Sequence, residues 1–199
     1  MLTSSVFRFD IPSNVQSFYN RIKTGKCTGG SVLKDGFYSK YDGSGTFAYC
    51  QDKATGVIYI HGNNQLFANM DVDCDGDQSD PGDGRCGSSC DTQDTTAFAD
   101  TVKQYSQIAG NEVSDMNAND IPYVVMGNAN DNNVPAYTTF DPKAYNIQPL
   151  SVMAVLCGNK LIYGVWGDVN DSDSDDPKPM LGEASISLAT ACFGTNITG

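Results

Sequence analysis

Glutamate is nearly missing from this 199-residue chain: Glu112 and Glu183 stand against twenty-two aspartates. Histidine is reduced to His61, in an apolar stretch, and no GxSxG segment occurs, so a Ser-His-Asp triad has nothing to build on. A single His also leaves a His-rich metal site without ligands, and the seven cysteines are too scattered for paired CxxC zinc hooks. The glycines between Gly25 and Gly45 lack the GxxxxGK[ST] order of a phosphate-binding loop. No apolar run approaches the roughly 20 residues that cross a bilayer. The opening MLTSSVFRFD lacks the apolar core of a signal peptide, which reads either as a chain never exported or as a mature form with an added Met. Basic residues are few, 12 against 24 acids, which disfavours a nucleic-acid partner.

What is present points to one folded domain over 1–199, with residues 1–10 as a flexible extension. The chain is long enough to bury a core, and short apolar runs set among Gly, Asn, Asp and Thr favour a β-rich fold with long loops. The segment SNVQSFYNRIKTG predicts a helix capped by Ser13 and stopped by Gly25, with Val15, Phe18, Tyr19 and Ile22 on one face. Cys27 to Gly45 reads as loop. Strands are expected over Thr46–Cys50, Val57–Gly62, Leu66–Val72 and Ile121–Gly127, and a helix from Thr92 or Asp94 to about Gln107. The clearest hairpin joins Leu150–Cys157 to Lys160–Trp166 through Gly158-Asn159.

Two facts single out the C-terminal third. Thirteen residues, rich in Asp and carrying two prolines, separate Asp168 from Gly182, between a strand ending LIYGVWGD and an alternating segment, Ala184–Leu188, read as another strand. One acid stands at each lip, Asp168 and the rare Glu183. The charge is also uneven. Residues 71–100 hold nine Asp and one Arg, a net of −8, and residues 168–183 hold five Asp, Glu183 and Lys178, a net of −5; the rest of the chain carries +1. Facing each other, the two segments would attract a polycation; apart, they are solvated acidic loops. Asp71, Asp73 and Asp75 with Gly76 match the opening of a calcium loop, but its twelfth position is Gly82 rather than Glu. Alternation puts these three acids on one strand face and turns Cys74 inward, towards a disulfide. Oxidising, extracellular surroundings suit the cysteine spacing, with one cysteine left over, and the sequons at Asn170 and Asn196 agree weakly with them.

Two carboxyl groups across a cleft can hydrolyse a glycosidic bond, one donating a proton and the other assisting water or attacking the sugar. The segments NMDVDCDGD, PYVVMGN, FDPKAYNIQPLSVMAVLCGNKLIYGVWGDVN and GEASISLATACF together resemble the fungal chitosanases of glycoside hydrolase family 75, over about Ile11 to Phe193. The resemblance implies a secreted endo-enzyme that cleaves β-1,4 links between glucosamine units with inversion, without metal or organic cofactor. It also implies that the WGD and GEAS acids, Asp168 and Glu183, are the essential pair. We assign Glu183 as acid and Asp168 as base, a Glu beside Trp166 and Leu181 being the better desolvated, with the reverse assignment left open by the sequence. Asp71 and Asp73 are placed as binders of the sugar amines, with Trp166 or Tyr123 as apolar contact. The expected fold is a mainly β barrel, double-psi by analogy, with peripheral helices; the expected assembly is a monomer acting on chitosan, with no nucleic-acid or membrane partner. Cys90 is the expected odd cysteine. The competing reading is a non-catalytic secreted module binding cationic polysaccharide through the same acids; a third is a calcium-dependent surface protein.

Overall fold

A computed structural model describes residues 8–40, 42–62, 66–89 and 92–199. In chain order the elements are β1 (Arg8–Phe9), α1 (Ser13–Ile22), β2 (Gly30–Ser39), β3 (Asp42–Asp52), β4 (Ile58–His61), β5 (Asp71–Asp73), α2 (Ala99–Ile108), β6 (Tyr123–Asn128), β7 (Val152–Cys157), β8 (Lys160–Asn170), β9 (Met180–Leu181), β10 (Glu183–Ser185) and α3 (Ile186–Phe193). Of the flexible extension expected over 1–10, residues 1–7 lie outside the described residues. Arg8 and Phe9 pair with Ile162 and Leu161.

Over the described residues the fold is mainly β, two curled half-barrel sheets with three α-helices. The first sheet runs β1-β8-β6-β10-β5 with β7 also on β8, and the second runs β4-β3-β2-β9. The β7–β8 hairpin pairs one for one from Val152↔Val165 to Cys157↔Lys160 about the expected Gly158-Asn159 turn. Gly182 alone separates β9 from β10 and so passes the chain from one sheet to the other. Its φ is +103°, and a Cβ there would come within 2.4 Å of the Asn69 carbonyl, so the position requires glycine. Between the sheets lies an aromatic core: Phe37, Phe47 and Tyr49 from the second, Trp166 and Met126 from the first, and Leu181 from the crossing. Tyr49 stacks on Phe140 at 3.9 Å, and Phe98 meets Trp166 edge-on at 4.9 Å.

Several expectations change: the helix expected from Thr92 or Asp94 begins only at Ala99, and of the strand expected over Leu66–Val72 only Asp71 and Val72 are strand, in β5. Cys27–Gly45 is not loop: it forms β2 and the start of β3, whose register shifts between Val32 and Lys34 and again around Phe37. Glycine at such irregularities, Gly36 at φ +92°, disguises a strand as a loop. The segment after Glu183 is a strand only to Ser185, whose hydroxyl then caps α3 by accepting the Leu188 N–H. Helix α1 starts at Ser13 but is preceded by Pro12, with no side-chain cap; its face holds as read, with Phe18 edge-on to Tyr59 and Tyr19 stacked on Phe67. Six cysteines pair as Cys27–Cys50, Cys74–Cys86 and Cys157–Cys192, and Cys74 does turn inward. Cys90 lies outside the described residues.

Candidate active site

Asp168 and Glu183 line one cavity of about 520 Å³, together with Asp73, Asp75, Asp131, Asp171 and Asp173. The two acidic segments of the sequence therefore do face each other. Strand β10 organises this wall. It pairs in parallel with β5, setting Glu183 opposite Asp71 and Ser185 opposite Asp73, and antiparallel with β6, which in turn pairs in parallel with β8 at Val125↔Asp168. A flat sheet would hold β5 and β8 roughly 14 Å apart, three strand spacings. Yet one carboxylate oxygen from each of Asp73, Asp75 and Asp168 lies within 4.8 Å of the others. The curl of the sheet brings them together.

Asp168 is buried, and its Oδ1 accepts two backbone N–H bonds, from Ala97 and Val169, both at 2.8 Å. Those bonds favour the carboxylate. Burial, followed by the charge of Asp73, outweighs them and pushes the carboxyl up to about 8. With Oδ1 occupied, Oδ2 is the oxygen left to carry the proton. Desolvation therefore falls on Asp168, whereas the sequence had placed it on Glu183, which is half-buried at the cavity wall. Burial first, and Glu183 among the nearby charges, also raise the Tyr49 and Tyr137 phenols.

Tyr123 and Trp166 are corrections. Both are fully buried, so neither offers a surface to a sugar. Trp166 instead anchors the strand that carries Asp168: its indole N–H is shared between the Met126 and Asp168 carbonyls at 2.7 and 2.9 Å. The Tyr123 hydroxyl donates to the Asp75 carbonyl at 3.0 Å. Burial, then the neighbouring Asp73, Asp168 and Asp75, keep that phenol protonated. Gly167 lets the two rings' strands close, since a Cβ there would stand 2.5 Å from Tyr123 Cβ. Asp73 is where the sequence put it, on the cavity. Asp71 is not among the lining residues; Lys40 Nζ binds its Oδ2 at 2.7 Å. Asp75 takes its place, oriented by the Gln93 N–H at 2.6 Å.

The loop with Asp131 that completes the cavity lies outside both acidic segments and was missed by sequence reasoning. Asp171 Oδ1 accepts the Asp131 N–H at 2.8 Å, and the Tyr137 hydroxyl donates to the Asp171 carbonyl at 3.2 Å. The loop at 129–137 is thus clasped to the end of β8. Asp73, Asp75 and Asp168 offer hard oxygen donors of the type a divalent cation takes, and equally a seat for an ammonium group.

Comparison with known proteins agrees with this chemistry. Residues 70–199 match the family described as fungal chitosanase of glycosyl hydrolase group 75. The chain is 36% identical over 195 residues to an endo-chitosanase of Aspergillus oryzae, covering 96% of this chain and 72% of that protein. It is 37% identical over 195 residues to endo-chitosanase B of the same species, with coverage of 96% and 72%. An endo-chitosanase of Aspergillus fumigatus is 38% identical over 193 residues, covering 96% and 71%. No solved structure matches.

Proposed function

The chain belongs to the fungal chitosanases of glycosyl hydrolase group 75 and is a glycoside hydrolase; from that premise we propose that it cleaves β-1,4 links within chitosan by endo-attack with inversion, using Asp168 and Glu183. One observation carries the choice of roles: the only one of the pair that is deeply buried is Asp168, beside two further carboxyls and with a proton held to about 8. Asp168 is therefore the general acid, presenting Oδ2 to the leaving glycosidic oxygen, and Glu183 the base that takes a proton from the attacking water. This exchanges the roles assigned from the sequence. A carboxyl that keeps its proton at working pH suits donation, and a half-buried one at the wall suits abstraction.

Asp73 and Asp75 bind the ammonium of a glucosamine unit next to the scissile bond. They thereby couple recognition to chemistry, because the same charges hold the proton on Asp168. Asp131, Asp171 and Asp173 extend the negative wall along the polymer. The three disulfides and the extracellular substrate fit a secreted enzyme. Among the described residues no helix is long and apolar enough to cross a membrane. A monomer that has no nucleic-acid partner completes the proposal.

The roles separate by leaving group. A general-acid variant recovers on substrates whose leaving group needs no proton; a base variant does not. On an aryl glycoside of a glucosamine oligomer with an acidic phenol, Asp168→Asn should regain much of the wild-type rate and Glu183→Gln should stay inactive. The reverse pattern exchanges the roles. Proton NMR of the first products should show the α-anomer; the β-anomer would contradict inversion.

A further inference from the structure

The loop that gives Asp168 one of its two backbone donors is held by a carboxyl that touches neither the cavity nor the proposed pair. Asp115, in the segment between α2 and β6, is buried, and it accepts three bonds. Its Oδ2 takes the Thr96 N–H at 2.6 Å, and its Oδ1 takes the Thr96 hydroxyl and the Met116 N–H, each at 2.8 Å. Thr96 is itself buried, and its hydroxyl also accepts the Phe98 N–H at 3.3 Å. The residue between them is Ala97, whose N–H reaches Asp168 Oδ1 at 2.8 Å.

We propose that Asp115, acting through Thr96, is a positioning residue for Asp168: it fixes residues 96–98 so that the Ala97 N–H holds Oδ1 and leaves Oδ2 facing the substrate. The inference rests on the reading of Asp168 as a catalytic carboxyl. Two features favour it over simple loop stability. Asp115 binds both the N–H and the hydroxyl of one residue, which fixes a peptide plane and not just a position. The donor it sets is also one of only two on Asp168 Oδ1 among the described residues, and that carboxyl shares its cavity with the charged groups Asp73, Asp75 and Glu183, with the Tyr123 phenol beside it. Losing the Ala97 bond removes a contact that favours the carboxylate, so the Asp168 proton should be held to still higher pH.

The test uses the full chain as wild type, Asp115→Asn, Thr96→Val, Thr96→Ser and Asp168→Asn. Two readouts are taken: kcat and KM on a glucosamine hexamer, and the pH titration of the Asp168 carboxyl carbon by NMR without substrate, the resonance being identified by its loss in Asp168→Asn. In Asp115→Asn and Thr96→Val, kcat should fall between about tenfold and a hundredfold with KM little changed, and the Asp168 titration should move to higher pH. Thr96→Ser, which keeps the hydroxyl, should restore both. If Asp115→Asn fails to fold, the Thr96 pair decides. An unmoved titration in Thr96→Val, or equal behaviour of Val and Ser, overturns the inference while an inactive Asp168→Asn leaves the proposed pair standing. An active Asp168→Asn overturns the proposed pair itself, and this inference with it.

Discussion

Among the described residues each sheet buries one aspartate, and the two are treated in opposite ways. Asp52, at the end of β3, is fully buried and bound by the Arg21 guanidinium from α1 and by the N–H and hydroxyl of Thr55 at 2.9 and 2.7 Å. The Arg21 hydrogen bond first, then Thr55, hold its carboxyl well below the ordinary range. Among the described residues Asp168, in the other sheet, has two backbone donors but no cationic partner, and two carboxyls within reach. A buried acid given a counter-charge ties a helix to a sheet. One given like charges keeps its proton. Burial alone does not distinguish a structural acid from a reactive one; the sign of what surrounds it does.

The largest expected effect breaks the comparison at Asp168. Asp168→Asn should lower chitosan hydrolysis by roughly 10² to 10⁴-fold, the span of general acid catalysis. Weakening the cation seat comes next: Asp73→Asn or Asp75→Asn should raise KM about tenfold on glucosamine oligomers and flatten its rise with salt, measured by initial rates between low and high ionic strength.

Stability should then part the two acids by pH. Asp168 is raised in the fold, so the unfolded chain releases that proton first. Its contribution is fully present below the ordinary Asp range near pH 4 and is lost as pH rises to about 8. Asp168→Asn should therefore match wild type in unfolding free energy near pH 4 and exceed it near pH 8 by on the order of a few kcal/mol, read by denaturant titration at each pH. Asp52 is lowered in the fold, so its contribution is present above about pH 4 and fades in acid. Asp52→Asn should melt lower at neutral pH, approach wild type in strong acid, and keep its activity while folded. The smallest effect concerns cations: chelator should leave the melting curve and the rate unmoved, and a calcium-induced rise that Asp75→Asn abolishes would revive the calcium reading.

Much of this was legible in residues. The WGD and GE acids stood out because Glu183 is rare and because a hairpin delivers Asp168. The charge imbalance located the Asp73–Asp75 and Asp168–Asp173 sides of the cavity but not the loop that carries Asp131, and the Gly158-Asn159 turn gave the pairing of β7 with β8. Other features depend on geometry that no local pattern carries. Tyr123 and Trp166 look like sugar platforms by type, but the sheet's curl turns both into the interior. Asp71 and Asp75 are equivalent by alternation, and only Lys40, thirty-one residues away in sequence, separates them. The bulged β2 hides its period among glycines. Asp115 gives no signal, because its partners are the backbone and hydroxyl of a residue nineteen positions away.

The most direct measurement runs hydrolysis and binding side by side: reducing-end release from soluble chitosan, and affinity for the same polymer, for wild type, Asp168→Asn and Glu183→Gln. The predicted result is release by wild type, loss by orders of magnitude in both variants, and polymer binding kept in all three. Wild-type rates in either variant, or binding without release by the wild-type chain, would contradict the assignment of Asp168 and Glu183 as the pair that breaks the bond.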